Sequence, residues 1–127
     1  MNPINKHLME TIKDKKVKVE IKFNKQVERQ VTVKISHSRT CRIRIWPSTF
    51  LKDTQSNHIS KLIEVYNASK YPSWSFLPAG TEYTLVFEGL PKKCTSFHIV
   101  EEIPEPDGMY YRNIGRNSSD VYQIKVE

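Results

Sequence analysis

TEYTLVFEGLP, residues 81–91, alternates Tyr83, Leu85 and Phe87 with Thr84 and Val86 before Gly89 and Pro91 close it. A period of two belongs to a strand, whose successive side chains point to opposite faces, so this stretch reads as a strand with one buried side. If the chain around it repeats the pattern without intervening helices, the fold is all-β.

The pattern does repeat. Upstream, RQVTVKI (29–35) alternates Val31, Val33 and Ile35, and KVKVEIKF (16–23) sets Val17, Val19, Ile21 and Phe23 against Lys18, Glu20 and Lys22. The polar stretch between them predicts a hairpin. CRIRIW (41–46) places Cys41, Ile43 and Ile45 opposite Arg42 and Arg44, and Pro47, which lacks the N–H a ladder needs, ends it. KLIEVYNA (61–68), SFHIVEEI (96–103) and VYQIKVE (121–127) complete the set, with Ile63 and Val65 expected on one face of the first of these. DTQSNHIS (53–60) reads as a polar loop, KYPSWSFLPAG (70–80) as an ordered one, and EPDGMYYRNIGRNSSD (105–120) as a turn-rich connection.

Seven short strands with no crossover helices predict an immunoglobulin-like antiparallel β-sandwich over residues 16–127. INKHLMETIK (4–13) has Ile4, Leu8, Met9 and Ile12 at helical spacing, so residues 1–15 read as a short helix or an arm. A length of 127 residues suits one domain, and 38% hydrophobic with 27% charged residues is a globular composition. No apolar run spans a bilayer and the N-terminus lacks a secretory pattern, which predicts a cytoplasmic protein without membrane contact. Cys41 and Cys94 are then expected to be reduced.

CRIRIWPSTFL, SKLIEVYNA, YTLVFEGLPKKCTSFHIVEEIP and RNSSDVYQIKV together resemble a group of uncharacterised bacterial accessory domains with an immunoglobulin-like β-sandwich. The resemblance covers roughly residues 27–126. It implies the fold and carries no activity. Trp46 follows Cys41 by only five residues, which departs from the Cys…Trp…Cys pattern of antibody domains.

Charge is unevenly distributed. Residues 1–61 hold 14 basic against 5 acidic residues, and residues 62–127 hold 6 against 9. Lys18, Lys22, Lys34, Arg42 and Arg44 all oppose the apolar face of their strands, and would form one basic stripe if those strands are neighbours. Such a stripe suits an acidic protein or a polyanion, although lysines on exposed strands also serve simply to block edge pairing. The loop at 71–76 offers Tyr71 and Trp74 beside it. A protein with an acidic surface is the expected partner, with nucleic acid, stacked on Trp46 or Trp74, as the alternative. The acidic segment EEIPEPD (101–107) reads as a solvated turn, or as a contact for the basic face of a second copy.

Catalytic patterns are missing. Cys94 and His98 share a strand face but stand ~13 Å apart at about 3.3 Å per residue. His7, His37, His58 and His98 are scattered, and four glycines form no phosphate loop. The expectation is a non-enzymatic domain with no metal and no cofactor.

Overall fold

The computed structural model describes residues 29–127. The expected helix or arm at 1–15, the strand at 16–23, and Lys18 and Lys22 lie outside the described residues. Within them the chain is all-β, with ten strands: β1 (Val31–His37), β2 (Cys41–Ile45), β3 (Phe50–Asp53), β4 (Ile59–Tyr66), β5 (Ser69–Lys70), β6 (Ser75–Leu77), β7 (Glu82–Phe87), β8 (Ser96–Val100), β9 (Tyr110–Gly115) and β10 (Val121–Val126). Of these, β3, β5, β6 and β9 were not expected from the sequence.

Seven strands form one sheet in the order β10-β1-β7-β4-β3-β8-β9, and β2 joins β5 and β6 in a second, short sheet. The arrangement is mixed rather than antiparallel throughout, because β1 runs parallel to β10 and β2 parallel to β5. A parallel pair cannot be joined by a tight turn; here the rest of the domain connects β1 to β10. Val33 lies opposite Leu85 of β7 and Tyr122 of β10, so both edges of β1 are occupied. The hairpin expected between residues 16–23 and this strand lies outside the described residues.

The large sheet curls into a half-barrel. β10 and β8 are five positions apart in it, which in a flat sheet is ~24 Å. Yet the rings of Phe97 on β8 and Tyr122 on β10 meet edge to face with centroids 5.0 Å apart. The concave side holds Val31, Val33, Ile35, Leu51, Tyr83, Leu85, Phe87, Phe97 and Ile99, all fully or almost fully buried, and Ile45 of β2 joins them from the second sheet. Burying such side chains contributes about 1.5–3 kcal/mol each before chain entropy is charged against it.

Consecutive strands β9 and β10 form the two edges of the half-barrel, and residues 116–120 bridge them. An ion pair between buried Asp120 and part-buried Arg116 fixes this bridge. Arg116 donates from Nε and Nη2 to the Asp120 carboxylate at 2.8 and 3.0 Å, and from Nη1 to the carbonyls of Pro91 and Cys94 at 2.6 and 3.2 Å. Tyr122 Oη donates to the same carboxylate at 2.8 Å.

Two irregularities break the period of two. On β4, Leu62 faces Phe87 and Glu64 faces Val86, which leaves Ile63 as an extra, bulged residue that is 44% exposed. The expected inward Ile63 is thus corrected: Leu62 and Val65 pack on the core instead. On β9, Tyr111 and Ile114 face Ile99 and Phe97, so three residues of β9 match two of β8. Asn113 takes up the extra length at φ 54°, a left-handed conformation that Asn tolerates.

Candidate binding surface

The chemistry-bearing side chains cluster around β2. Alternation turns Ile45 into the core, with Cys41 and Ile43 packed against it, and sends Arg42 and Arg44 outward. Cys41–Ile43 pair with β6, and Arg44–Ile45 with β5. Strands on opposite sides of a common neighbour lie ~9.6 Å apart, but Ser69 Oγ of β5 and Ser75 Oγ of β6 are 2.6 Å apart. Both partners therefore run along the same edge of β2, and a cis Tyr71–Pro72 peptide lies in the turn between them.

This turn delivers its rings to the two arginines. The Arg42 guanidinium carbon lies 4.3 Å from the Trp74 ring centroid and 5.9 Å from that of Phe76. That of Arg44 lies 4.1 Å from Trp74, 4.8 Å from Tyr71 and 5.9 Å from Trp46. Trp46 and Tyr71 stack on each other at 3.8 Å. Each such contact contributes about 0.5–1 kcal/mol when exposed, and together they hold long side chains in fixed poses. Phe76 is 70% exposed and Trp74 41%. The tryptophan does not plug the core.

The other edge of β2 faces the loop at 101–109. Glu101, itself buried, accepts from the Trp46 backbone N–H at 3.0 Å through Oε2 and from the Met109 N–H at 3.1 Å through Oε1. Farther along the loop Glu105 accepts from Arg44 Nη2 at 2.9 Å. Between loop and strand lies a cavity of about 170 Å³ that touches every residue from Arg42 to Trp46. Successive strand residues point to opposite faces, so a cavity meeting five in a row lies along the strand edge. Its inner wall is His37 and Tyr83, whose Nε2 and Oη are 3.0 Å apart. Burial holds the His37 ring below its usual pKa, hence uncharged at neutral pH, and pushes the Tyr83 hydroxyl up.

Of the residues singled out in the sequence, Arg42, Arg44, Tyr71 and Trp74 come together. Lys34 does not join them: it lies on β1, opposite Thr84 and Gln123 in the large sheet. β1 and β2, expected to be neighbours, belong to different sheets, so among the described residues Lys34 shares no sheet with the arginines. The acidic segment is also not a plain solvated turn, since Glu101 and Glu105 are held within the chain. Phe76, which the sequence offers only as one of several candidate exposed aromatics, and Glu105, which it offers only as part of the acidic segment 101–107, also belong to this cluster; β6, which carries Phe76, is only three residues long and shows no period in the sequence.

Comparison with family models, curated proteins and solved structures gives no match. The remaining sequence candidates are engaged elsewhere. Cys94 donates its thiol to the Ser96 carbonyl at 3.2 Å, with burial pushing its pKa up, while His98 Nδ1 accepts from Asn113 N–H at 3.0 Å. Both cysteines are free. Among the described residues no three His, Cys, Asp or Glu side chains gather as a metal set, and no helix is long and apolar enough to cross a membrane.

The loop geometry depends on Gly108. A Cβ there would sit 2.2 Å from the Glu101 carbonyl oxygen, a backbone atom with no freedom to withdraw. Gly108→Ala is expected to cost about 1–3 kcal/mol and to push the loop off β2, read as a lower urea midpoint together with a changed Trp46 and Trp74 fluorescence spectrum. An unchanged midpoint and spectrum would count against the tight loop seat.

Proposed function

We propose that this domain is a non-enzymatic interaction module that docks an acidic protein on the outer face of β2 and the β5–β6 turn, through Arg42, Arg44, Tyr71, Trp74 and Phe76. One observation carries the reading: two guanidiniums are stacked on Trp74 beside a Phe76 ring that is 70% exposed. Protein interfaces are enriched in Trp, Tyr, Phe and Arg, and their strongest contributions come from rigid aromatic and Arg anchors. Arg42 makes no ion pair among the described residues, whereas Arg44 is answered by Glu105. A partner that presents a carboxylate next to an apolar group satisfies both the charge and the rings.

The resemblance to immunoglobulin-like accessory domains belongs to the same proposal, as does a cytoplasmic setting, which two free thiols fit. Self-association through residues 101–107 has less support, because Glu101 and Glu105 are already held by Trp46 and Arg44.

Nucleic acid is the second reading, favoured by exposed rings set among arginines. Two features weigh against it. Guanidiniums occupy the Trp74 ring where a base would stack, and Lys34 lies on the other sheet, which shortens any track for phosphates. The deciding experiment titrates the protein with a labelled, C-terminally amidated peptide of alternating Glu and Tyr at near-physiological salt, in competition with a mixed-sequence single-stranded oligonucleotide. Peptide binding that weakens about 30-fold in Arg42→Ala or Trp74→Ala, and is unaltered in Lys34→Ala, is the expected result. Preferential binding of the oligonucleotide would overturn the protein reading.

A further inference from the structure

We propose that Arg44 is a carboxylate socket which the chain's own Glu105 half fills, and that an acidic side chain of the partner enters it by exchange with Glu105. The inference rests on the reading of the β2 face as a docking surface for an acidic protein, and adds a built-in competitor to it.

The first ground is the geometry of the guanidinium. An arginine presents Nε–H and Nη2–H side by side, and a carboxylate that takes both makes two parallel, charge-assisted bonds. Glu105 takes one of them, from Nη2 at 2.9 Å. Arg44 Nε is buried and has no acceptor. A buried donor without a partner is a standing penalty, and an incoming carboxylate that takes Nε and Nη2 together removes it.

The second ground is where the two partners sit. The Arg44 side chain is 16% exposed and that of Glu105 42%, so the acid lies on the water side of the pair and leaves without disturbing the core. The base of the loop stays fixed as it does so. Glu101 N–H donates to the Met109 carbonyl at 2.8 Å, and its carboxylate holds the Met109 and Trp46 N–H groups. Glu105 is carried at the tip, between Pro104 and Pro106.

Charge decides between simple addition and exchange. The cavity walls bring Arg42 and Arg44 together with Glu101, Glu105 and Asp107. A further anion entering this set meets an excess of negative charge. Replacing the Glu105 carboxylate by the partner's leaves the local sum as it was and completes the fork. The occupant is an internal Asp or Glu side chain of an extended segment, because the segment must continue on both sides to reach Phe76 and Tyr71.

The test uses the same labelled Glu–Tyr peptide with its amidated C-terminus, so that only side-chain carboxylates are offered. Glu105→Gln keeps the shape of the loop and removes the competing charge. It is expected to tighten peptide binding about three- to five-fold, while Glu102→Gln, the same charge change on an exposed neighbour, stays within about two-fold. Combining Glu105→Gln with Arg44→Lys, which keeps the charge and loses the fork, abolishes the gain. Urea midpoints confirm that each variant is folded. Equal or weaker binding by Glu105→Gln, or an equal gain from Glu102→Gln, overturns the exchange. If that happens while Arg42→Ala and Trp74→Ala still weaken the wild-type complex, the docking surface stands and only the socket falls; if neither wild type nor Glu105→Gln binds the peptide, both fall.

Discussion

Asp120→Asn lowers the free energy of unfolding by about 3–5 kcal/mol, seen as a large drop in the urea midpoint. The substitution keeps the side chain's size and leaves the backbone at ease, since position 120 has φ 55° and Asn tolerates that conformation as well as Asp does. What it removes is charge. The Asp120 side chain is 0% exposed and Arg116 17%, so loss of the carboxylate charge strands a guanidinium that water hardly reaches. Arg29 also touches Asp120, at 3.2 Å, but its side chain is 60% exposed, and Arg29→Ala is expected to cost at most about 1 kcal/mol. The double variant Arg116→Met with Asp120→Asn should recover part of the loss, because removing both charges also removes the stranded one. A double variant no more stable than Asp120→Asn alone would show that the pair is not the unit that matters.

Acid acts on the same carboxylate. The Arg116 hydrogen bonds, reinforced by Tyr122, hold the Asp120 carboxyl below its ordinary pKa, and the Gln55 backbone N–H does the same for buried Asp53. With a folded pKa below the unfolded value of about 3.9, the unfolded chain binds more protons in the interval between them. The stabilisation is therefore complete above pH ~4 and is lost as pH falls through the depressed folded values. In Asp120→Asn the acid-dependent part of the midpoint shrinks to what Asp53 and the other carboxylates supply.

The sequence shows its strands wherever the backbone keeps the period of two. Val31, Val33 and Ile35, and Tyr83, Leu85 and Phe87, are buried as their alternation predicts. β9 was illegible for a mechanical reason: the extra residue at Asn113 puts its two core-facing side chains, Tyr111 and Ile114, three apart, and a spacing of three reads as neither strand nor helix. β3 was hidden because an inward position is Asp53, buried at 4% exposure and satisfied by Gln55 N–H and Ser56 Oγ. A short polar residue in place of a hydrophobe looks like a loop. Strands β5 and β6, with two and three residues, are too short to show any period. The binding surface was half legible. Arg42 and Arg44 followed from alternation alone, but that Trp74 lies over them and Lys34 does not depends on which sheet each strand joins, and pairing across sheets leaves no local trace in sequence.

Phe97→Ala is expected to cost about 3–5 kcal/mol, and Phe97→Leu, which keeps most of the volume, less than about 2 kcal/mol. Phe97 is fully buried on β8, so a large loss by itself only reports a core position. The curl of the sheet makes the sharper claim, through the partner that Phe97 meets. In a flat sheet of this strand order, β8 and β10 would be ~24 Å apart, and substitutions at Phe97 and Tyr122 would add independently. With the ring centroids at 5.0 Å, edge to face, a double-mutant cycle on Phe97→Leu and Tyr122→Leu should instead give a coupling energy of about 0.5–1.5 kcal/mol. Tyr122 also donates to Asp120 and accepts from Asn117 N–H at 3.0 Å, so a parallel cycle with Tyr122→Phe separates the hydroxyl from the ring. Coupling that persists in the Leu cycle and vanishes in the Phe cycle belongs to the ring contact, and requires the half-barrel; additivity in both would mean that the sheet does not close on itself as described.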